Sequence, residues 1–202
     1  MINDMVQGRI DRMKSHFFIL CLLLAITIPG CRVGPQAGNR ASFDQQAAAI
    51  IPQLERSDPR VRRYFETSYA QAVFPVVGEG GLVVGSGWGQ GAVFVDGDVV
   101  GYARISKHSI GGVVGGEKFS VVVFFETRTA LESFEDGGLK WDTSANAVAG
   151  DAGVSTIGSY DKGIAVVEVD QAGLMANASI GIANFTYQSV DQWRAKNESD
   201  DS

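Results

Sequence analysis

Between Phe74 and Gly91 the chain reads FPVVGEGGLVVGSGWGQG, with glycines at 85, 87, 89 and 91. Side chains of a β-strand alternate between its two faces. Glycine at every second position therefore strips one face down to backbone, where other groups can approach closely. A nucleotide-binding loop is the competing reading of the same glycines, but that fingerprint needs a helix to open directly after it. Here Ala92-Val93-Phe94-Val95 reads as a strand and Asp96-Gly97-Asp98 as a hairpin turn. The stretch is expected to be a β-hairpin that lets a sheet curve against a helix ending at Pro75. Trp88 is expected to tuck over Gly87 or Gly89 as core, with insertion at a membrane interface as the alternative.

The distribution of glycine and proline extends this reading. Of 25 glycines, 21 fall between Gly78 and Gly181, and all five prolines lie at or before Pro75. A proline-free region rich in glycine and valine reads as continuous β-ladder with tight turns. Strands are expected at Leu82–Val84, Ala92–Val95, Val99–Ser106, Gly112–Val114 and Phe119–Glu126. Further strands are expected around Leu139–Val148, Gly153–Ile157, Ile164–Val169 and Leu174–Asn184. The GGLVVG run at Gly80 recurs as GGVVGG at Gly111, which suggests similar turns at corners of one curved sheet. Helices are expected from Ser42, with Gln45 as capping-box partner and a break at Pro52, and from Pro59 to about Ala72, capped by Asp58. The latter would carry Val61, Tyr64, Phe65 and Tyr69 inward. Thr127–Asp136 reads as a short helix capped by Thr127 or Thr129 and closed by Gly137-Gly138. The fold class is α+β, a curved, mostly antiparallel β-sheet or partial barrel with two to three packed helices.

The N-terminal segment places the domain. Phe17–Ile28 (FFILCLLLAITI) is too short to span a membrane and has the size of a signal-peptide apolar region. Met13 is an alternative start. Ile28-Pro29-Gly30-Cys31 resembles the lipobox of bacterial lipoproteins. That resemblance implies cleavage before Cys31 and a diacylglycerol on its thiol, enough acyl chain for stable anchoring. Arg32 after the cysteine implies sorting to the outer membrane, on its periplasmic face. An ordinary cleaved signal or a short anchor is the alternative. With Cys21 removed, Cys31 stands alone and no disulfide is available. The expected organisation is a signal peptide over 1–30, a tether over 31–41, the domain over 42–188 and an acidic flexible tail over 189–202.

The formal net charge is −6, and removal of residues 1–30 leaves 14 basic and 21 acidic residues, a net of −7. That balance argues against a nucleic-acid partner. Within it, Arg56, Arg60, Arg62 and Arg63 fall in eight residues. Beside a lipid anchor they could hold anionic head groups; a solvated helix face partnered by Glu55 and Glu66 is the equal alternative. His108-Ser109 invites a hydrolase reading, but adjacent strand residues face opposite sides, and His108 reads as a turn histidine after Lys107. One remaining histidine and scattered carboxylates imply no metal, no cofactor and no catalytic group.

Several short motifs follow one another in the order of a known family: Phe74-Pro75, Gly80-Gly81-Leu82, Gly85, Gly89-Gln90-Gly91, Gly101-Tyr102, Gly111, Gly115-Gly116 and Phe124-Phe125. The helix around Ala130–Phe134 and Ala172-Gly173-Leu174-Met175-Ala176 complete the series. Over about Asp58 to Tyr187 the chain resembles the SYLF domain family. Val113-Val114 and Glu117-Lys118 depart from the family's glutamine-bearing steps. The resemblance implies a non-enzymatic module that binds anionic, phosphoinositide-type lipid through an N-terminal amphipathic helix. Carried over, that helix is Pro59–Ala72, with Arg60, Arg62 and Arg63 as head-group contacts. A structural or assembly lipoprotein of the envelope, binding a protein partner, is the alternative.

Overall fold

The computed structural model describes residues 33–81, 84–110, 115–137, 139–142, 154–157, 160–170 and 180–200. The described residues form one compact α+β unit beginning at Val33. Its strands are β1 (Ala70–Gly81), β2 (Val84–Val95), β3 (Asp98–Ile110), β4 (Gly115–Phe125), β5 (Lys140–Asp142), β6 (Val154–Ile157), β7 (Ile164–Asp170) and β8 (Ile180–Ser189). They form one sheet in the order β5-β8-β3-β2-β1-β4-β7-β6. Every pairing among the described residues is antiparallel, and β5 and β6 stand at the two edges, so the sheet is open.

The glycine-rich stretch is a hairpin, as its pattern implies. Strands β1 and β2 pair from Ala70↔Val95 to Gly81↔Gly85, and Gly85, Gly87, Gly89 and Gly91 all face one side of β2. What lies against that bare track comes from β1. A Cβ on Gly91 would meet the Phe74 ring, one on Gly89 the Val77 side chain and the Val76 carbonyl, and one on Gly87 Glu79 and the Gly78 carbonyl. The GGLVVG and GGVVGG glycines meet as neighbours, Gly80↔Gly116 and Gly81↔Gly115. At the opposite end, Asp96 and Gly97 turn β2 into β3 with φ of 51° and 87°, the two left-handed residues of a tight hairpin turn.

Pro75 does not end a helix here. The helix that Asp58 caps, accepting a hydrogen bond from the Arg60 N–H, spans Pro59–Thr67 and stops before Ser68. The chain then enters β1, whose register shifts between Val73 and Val76 against β2 and between Phe74 and Val77 against β4. Proline has no N–H for a ladder, and a bulge is where a sheet tolerates it. The buried Ser120 hydroxyl donates to the Pro75 carbonyl at 2.9 Å. Tyr69, expected inward on the helix, is 38% exposed beyond its end.

Five α-helices are described, against the two or three expected: α1 (Arg40–Ala49), α2 (Ile51–Ser57), α3 (Pro59–Thr67), α4 (Arg128–Glu135) and α5 (Val190–Asp200), with a 3-10 turn at Ala37–Asn39. Pro52, in the first turn of α2, divides α1 from α2. Helix α1 begins at Arg40, ahead of the expected Ser42 cap; the Ser42 hydroxyl instead donates to the Asn39 carbonyl. Thr127 caps α4 by accepting from the Ala130 N–H. Helix α5 occupies residues expected to be a flexible tail.

Alternation divides the apolar residues between two cores, one on each face of the sheet. On one face Phe74, Val123, Phe125, Ile105 and Phe185 surround α4. The Phe134 ring lies 4.9 Å from that of Phe125 on β4 and 5.8 Å from that of Phe185 on β8. These strands are four places apart in the sheet, so the sheet wraps around α4. On the other face Val73, Phe94, Tyr102, Phe124 and Val167 are covered by α1, α2, α3 and α5. The second face is the one that carries the exposed groups of interest.

Candidate functional site

The cationic helix comes first. Val61 of α3 is buried, Tyr64 stacks on Phe124 at 5.2 Å, and Phe65 meets the same ring edge-on at 4.8 Å. That anchoring turns Arg60, Arg62 and Arg63 outward, and all three are exposed. Arg60 also holds the cap, its Nη2 lying 2.7 Å from Asp58 Oδ2. The Arg60 hydrogen bonds keep the Asp58 carboxyl below the usual carboxylate range. Cys31 lies outside the described residues.

Trp88 corrects the expectation of a core residue. The glycines alternate with Ser86, Trp88 and Gln90, so while the glycine track faces one core, Trp88 points to the other side. There it is 62% exposed. Its cross-strand neighbours are Gly78 and Ser106, and the Arg104 guanidinium lies over the ring at 5.7 Å. Val76, Val84 and Ile110 are exposed on the same sheet, at 37%, 67% and 69%. A groove of about 920 Å³ runs past Trp88, walled by Phe43 of α1, Pro75 and Val76, floored by Gly78, Gly80 and Gly116, with Lys118 at its rim. Arg104 did not stand out in the sequence, and Lys118 did so only as a departure from the family's pattern. The alternation that strips one face with glycine displays Trp88 on the other, and that signal was available.

A second arrangement lies on the opposite face. Lys107 stands beside Gly87, across which lies Glu79. The Lys107 Nζ is 3.2 Å from Glu79 Oε2 and 3.2 Å from Glu168 Oε1, and 4.7 Å from the Phe119 ring centroid. The Ser109 hydroxyl donates to Glu79 Oε1. Glu79, Lys107 and Ser109 are all at most 3% exposed. Burial alone would lower the Lys107 ammonium, but the Glu168 and Glu79 carboxylates outweigh it and raise its pKa. Burial pushes the Glu168 carboxyl up, against the pull of Lys107. One cation between two carboxylates leaves one negative charge uncompensated, and Glu168 bears that cost.

His108 and Ser109 are not brought together. His108 is exposed on β3 itself, not on a turn, while Ser109 is buried with Glu79 on the other face.

The segment expected to be a tether is docked. Gly34 and Pro35 are buried. The Gln90 amide donates to the Gly34 carbonyl at 2.7 Å, and the Trp193 indole N–H of α5 donates to the Pro35 carbonyl at 2.9 Å. Trp193 also lies against Tyr102 at 5.4 Å and under Arg40 at 5.4 Å. Burial beside Asp44 pushes the Tyr102 hydroxyl up to about 12; it donates to Asp44 Oδ1 and accepts from Arg40 Nε. Helix α5 begins with a Ser-x-x-Gln capping box: Ser189 Oγ accepts from the Gln192 N–H, and Gln192 Oε1 accepts from the Ser189 N–H.

The described domain is thus an α+β module with a curled antiparallel sheet, whose helical side exposes arginines, a tryptophan and an apolar groove. No family model matches the chain. A curated relative, "Beta cell expansion factor A" of Aeromonas veronii, is 22% identical over 147 residues, covering 72% of this chain and 56% of its own length. The chain spans about half the length of that relative. Among the described residues no helix is long and apolar enough to cross a membrane.

Proposed function

We propose that the chain is a lipoprotein held through Cys31, on the periplasmic face of a bacterial outer membrane, and that its domain binds anionic lipid head groups. The observation that carries this reading is the pairing of exposed cations with exposed apolar groups on the helical side of the sheet. Arg60, Arg62 and Arg63 project from α3, and Trp88, under Arg104, stands beside the groove. Arginine near an anionic surface contributes about 1 kcal/mol per residue, and an amphipathic indole suits the boundary between apolar and aqueous phases. The order of motifs that resembles the SYLF domain supports the same reading, with phosphoinositide-type head groups as the implied chemistry. The activity is binding, without a catalytic step.

A vesicle titration tests it. Trp88 emission, taken as the difference between the parent domain and Trp88→Phe, shifts to the blue with vesicles containing anionic phospholipid and stays put with phosphatidylcholine alone. A protein partner retained from envelope extract by a domain that ignores both vesicles would favour the assembly role instead.

A further inference from the structure

The groove beside Trp88 is built as a channel. Its floor is β1, which turns Val76, Gly78 and Gly80 toward it. Gly78 pairs with Trp88 on β2 and with Lys118 on β4. The indole and the lysine thus flank a residue without a side chain, and a Cβ built on Gly78 meets nothing within 4 Å. Neighbouring strands lie about 4.8 Å apart, so β2 and β4 stand about 10 Å from one another across β1. That leaves room above Gly78 for one hydrocarbon chain. Gly80 and Gly116, themselves paired, continue the floor in one direction, and Val76, Pro75 and Phe43 give apolar surface in the other. Arg104 lies over the indole from the β3 side, at 5.7 Å, so the ring stands as a wall between that guanidinium and the channel.

The charge of the channel has one sign. Glu79 contributes only backbone to it, because its carboxylate lies on the opposite face with Lys107 and Ser109. Among the described lining residues, Lys118 is then the one whose charge faces the channel. A lysine stem is itself apolar, so Lys118 both walls the channel and charges its rim. We propose that the channel binds one single-chain lipid with an anionic head, its hydrocarbon lying over Gly78 against Trp88 and its head group on Lys118. Non-directional apolar contact is all that a methylene chain requires. From Pro75 to Gly80 the strand runs about 17 Å, close to the depth of about 15 Å that the hydrocarbon of one bilayer leaflet occupies. The volume of about 920 Å³ also falls in the range of about 300–1,000 Å³ common to small-molecule sites. This goes beyond the head-group reading and does not depend on it. There the arginines of α3 meet a membrane surface; here the sheet holds a single lipid molecule.

Calorimetry on the full-length protein, stripped of co-purified lipid, tests this with myristate and with myristoyl lysophosphatidate, each below its critical micelle concentration. One ligand per chain is expected, and the tighter of the two identifies the head group as carboxylate or phosphate. Absence of saturable binding by both overturns the proposal. Affinity is expected to rise severalfold at each step from decanoate to laurate to myristate, because each added methylene is covered; affinity indifferent to length overturns it. Gly78→Leu and Gly116→Leu fill the channel, and neither Cβ would come closer than 3.7 Å to a neighbour. Each is expected to weaken myristate at least tenfold with its thermal midpoint kept, and parent-like affinity in both overturns the site. Lys118→Gln is expected to weaken myristate at least fivefold and to leave myristyl alcohol unchanged; equal losses for the two ligands overturn the placement of the head group. Arg60→Ala/Arg62→Ala/Arg63→Ala is expected to bind myristate as the parent does. Loss of myristate there would move the ligand to α3 and overturn the channel, whereas loss of vesicle binding alone bears on the head-group reading and not on this one.

Discussion

Lys107 on β3 and Glu168 on β7 lie in strands separated by β2, β1 and β4, yet Nζ and Oε1 are 3.2 Å apart. Four strand spacings in a flat sheet would set them about 19 Å apart. The contact exists because the sheet curls, and Gly87 leaves room there for Glu79 to lie over its backbone, with Lys107 as its neighbour on β3. The ion pair and the glycine track are two views of one feature.

Removing Lys107 should therefore be costly. Lys107→Met leaves the buried Glu79 and the half-buried Glu168 without their cation, and breaking a buried pair in this way costs about 3–5 kcal/mol. Urea denaturation should show that loss, and Lys107→Met/Glu168→Gln should recover part of it. A loss below about 1 kcal/mol would mean that the cluster is solvated.

The pH dependence follows from the two directions. The Lys107 pKa is raised above 10.5 in the fold, so its contribution is complete below 10.5 and is lost as pH rises through the folded value. The Glu168 pKa is raised above 4.5, so the protonated form is favoured in the fold. Stability from that group is complete below 4.5 and is lost as pH rises through the folded value. Glu168→Gln removes the second loss. Its urea midpoint relative to the parent should increase from pH 4 to neutrality; a constant difference would contradict the assignment.

The glycine track can be probed one position at a time. Gly89→Ala places a Cβ 2.8 Å from the Val76 carbonyl and from Val77 Cγ2, whereas Gly78→Ala meets nothing within 4 Å. Thermal denaturation should show Gly89→Ala destabilised by about 1–3 kcal/mol and Gly78→Ala within about 0.5 kcal/mol of the parent. Equal effects would mean that β1 does not lie over the track.

Trp193 tests whether the two ends of the domain are fastened. Trp193→Ala removes a buried ring against Tyr102 and the hydrogen bond to Pro35, a loss of about 3–5 kcal/mol. Amide exchange should rise both in α5 and at Asn39–Asp44. Protection unchanged at Asn39–Asp44 would show that α5 docks without holding the strap.

Where the sequence carried a local rule, the fold followed it. Alternate glycines marked the hairpin, Asp58-Pro59 marked the start of α3, Asp96-Gly97 the β2–β3 turn and Thr127 or Thr129 the α4 cap, which Thr127 makes. The misreadings came where tertiary structure overrides local preference. Pro75 reads as a helix stop until the bulge in β1 is seen to need no N–H there. Helix α5 has no long apolar stripe, and Val190 and Trp193 alone among its described residues join the core; its Ser189-x-x-Gln192 capping box was the readable signal. Trp88 was misplaced because the close approach allowed by the glycines was assigned to the ring itself, although period-two alternation sends Trp88 to the opposite face. The Glu79–Lys107–Glu168 cluster depends on contacts across five strands, which no spacing in the sequence encodes.

The most direct test of lipid recognition is flotation of the non-acylated domain with vesicles of phosphatidylcholine, alone or with anionic phospholipid. The domain should float only with the anionic vesicles, and Arg60→Ala/Arg62→Ala/Arg63→Ala should lose most of that binding. Three head-group contacts of about 1 kcal/mol each correspond to a fall in affinity of roughly a hundredfold. Equal flotation of the parent and the triple variant would contradict the head-group assignment, and failure of the parent to float with either vesicle would contradict lipid binding altogether.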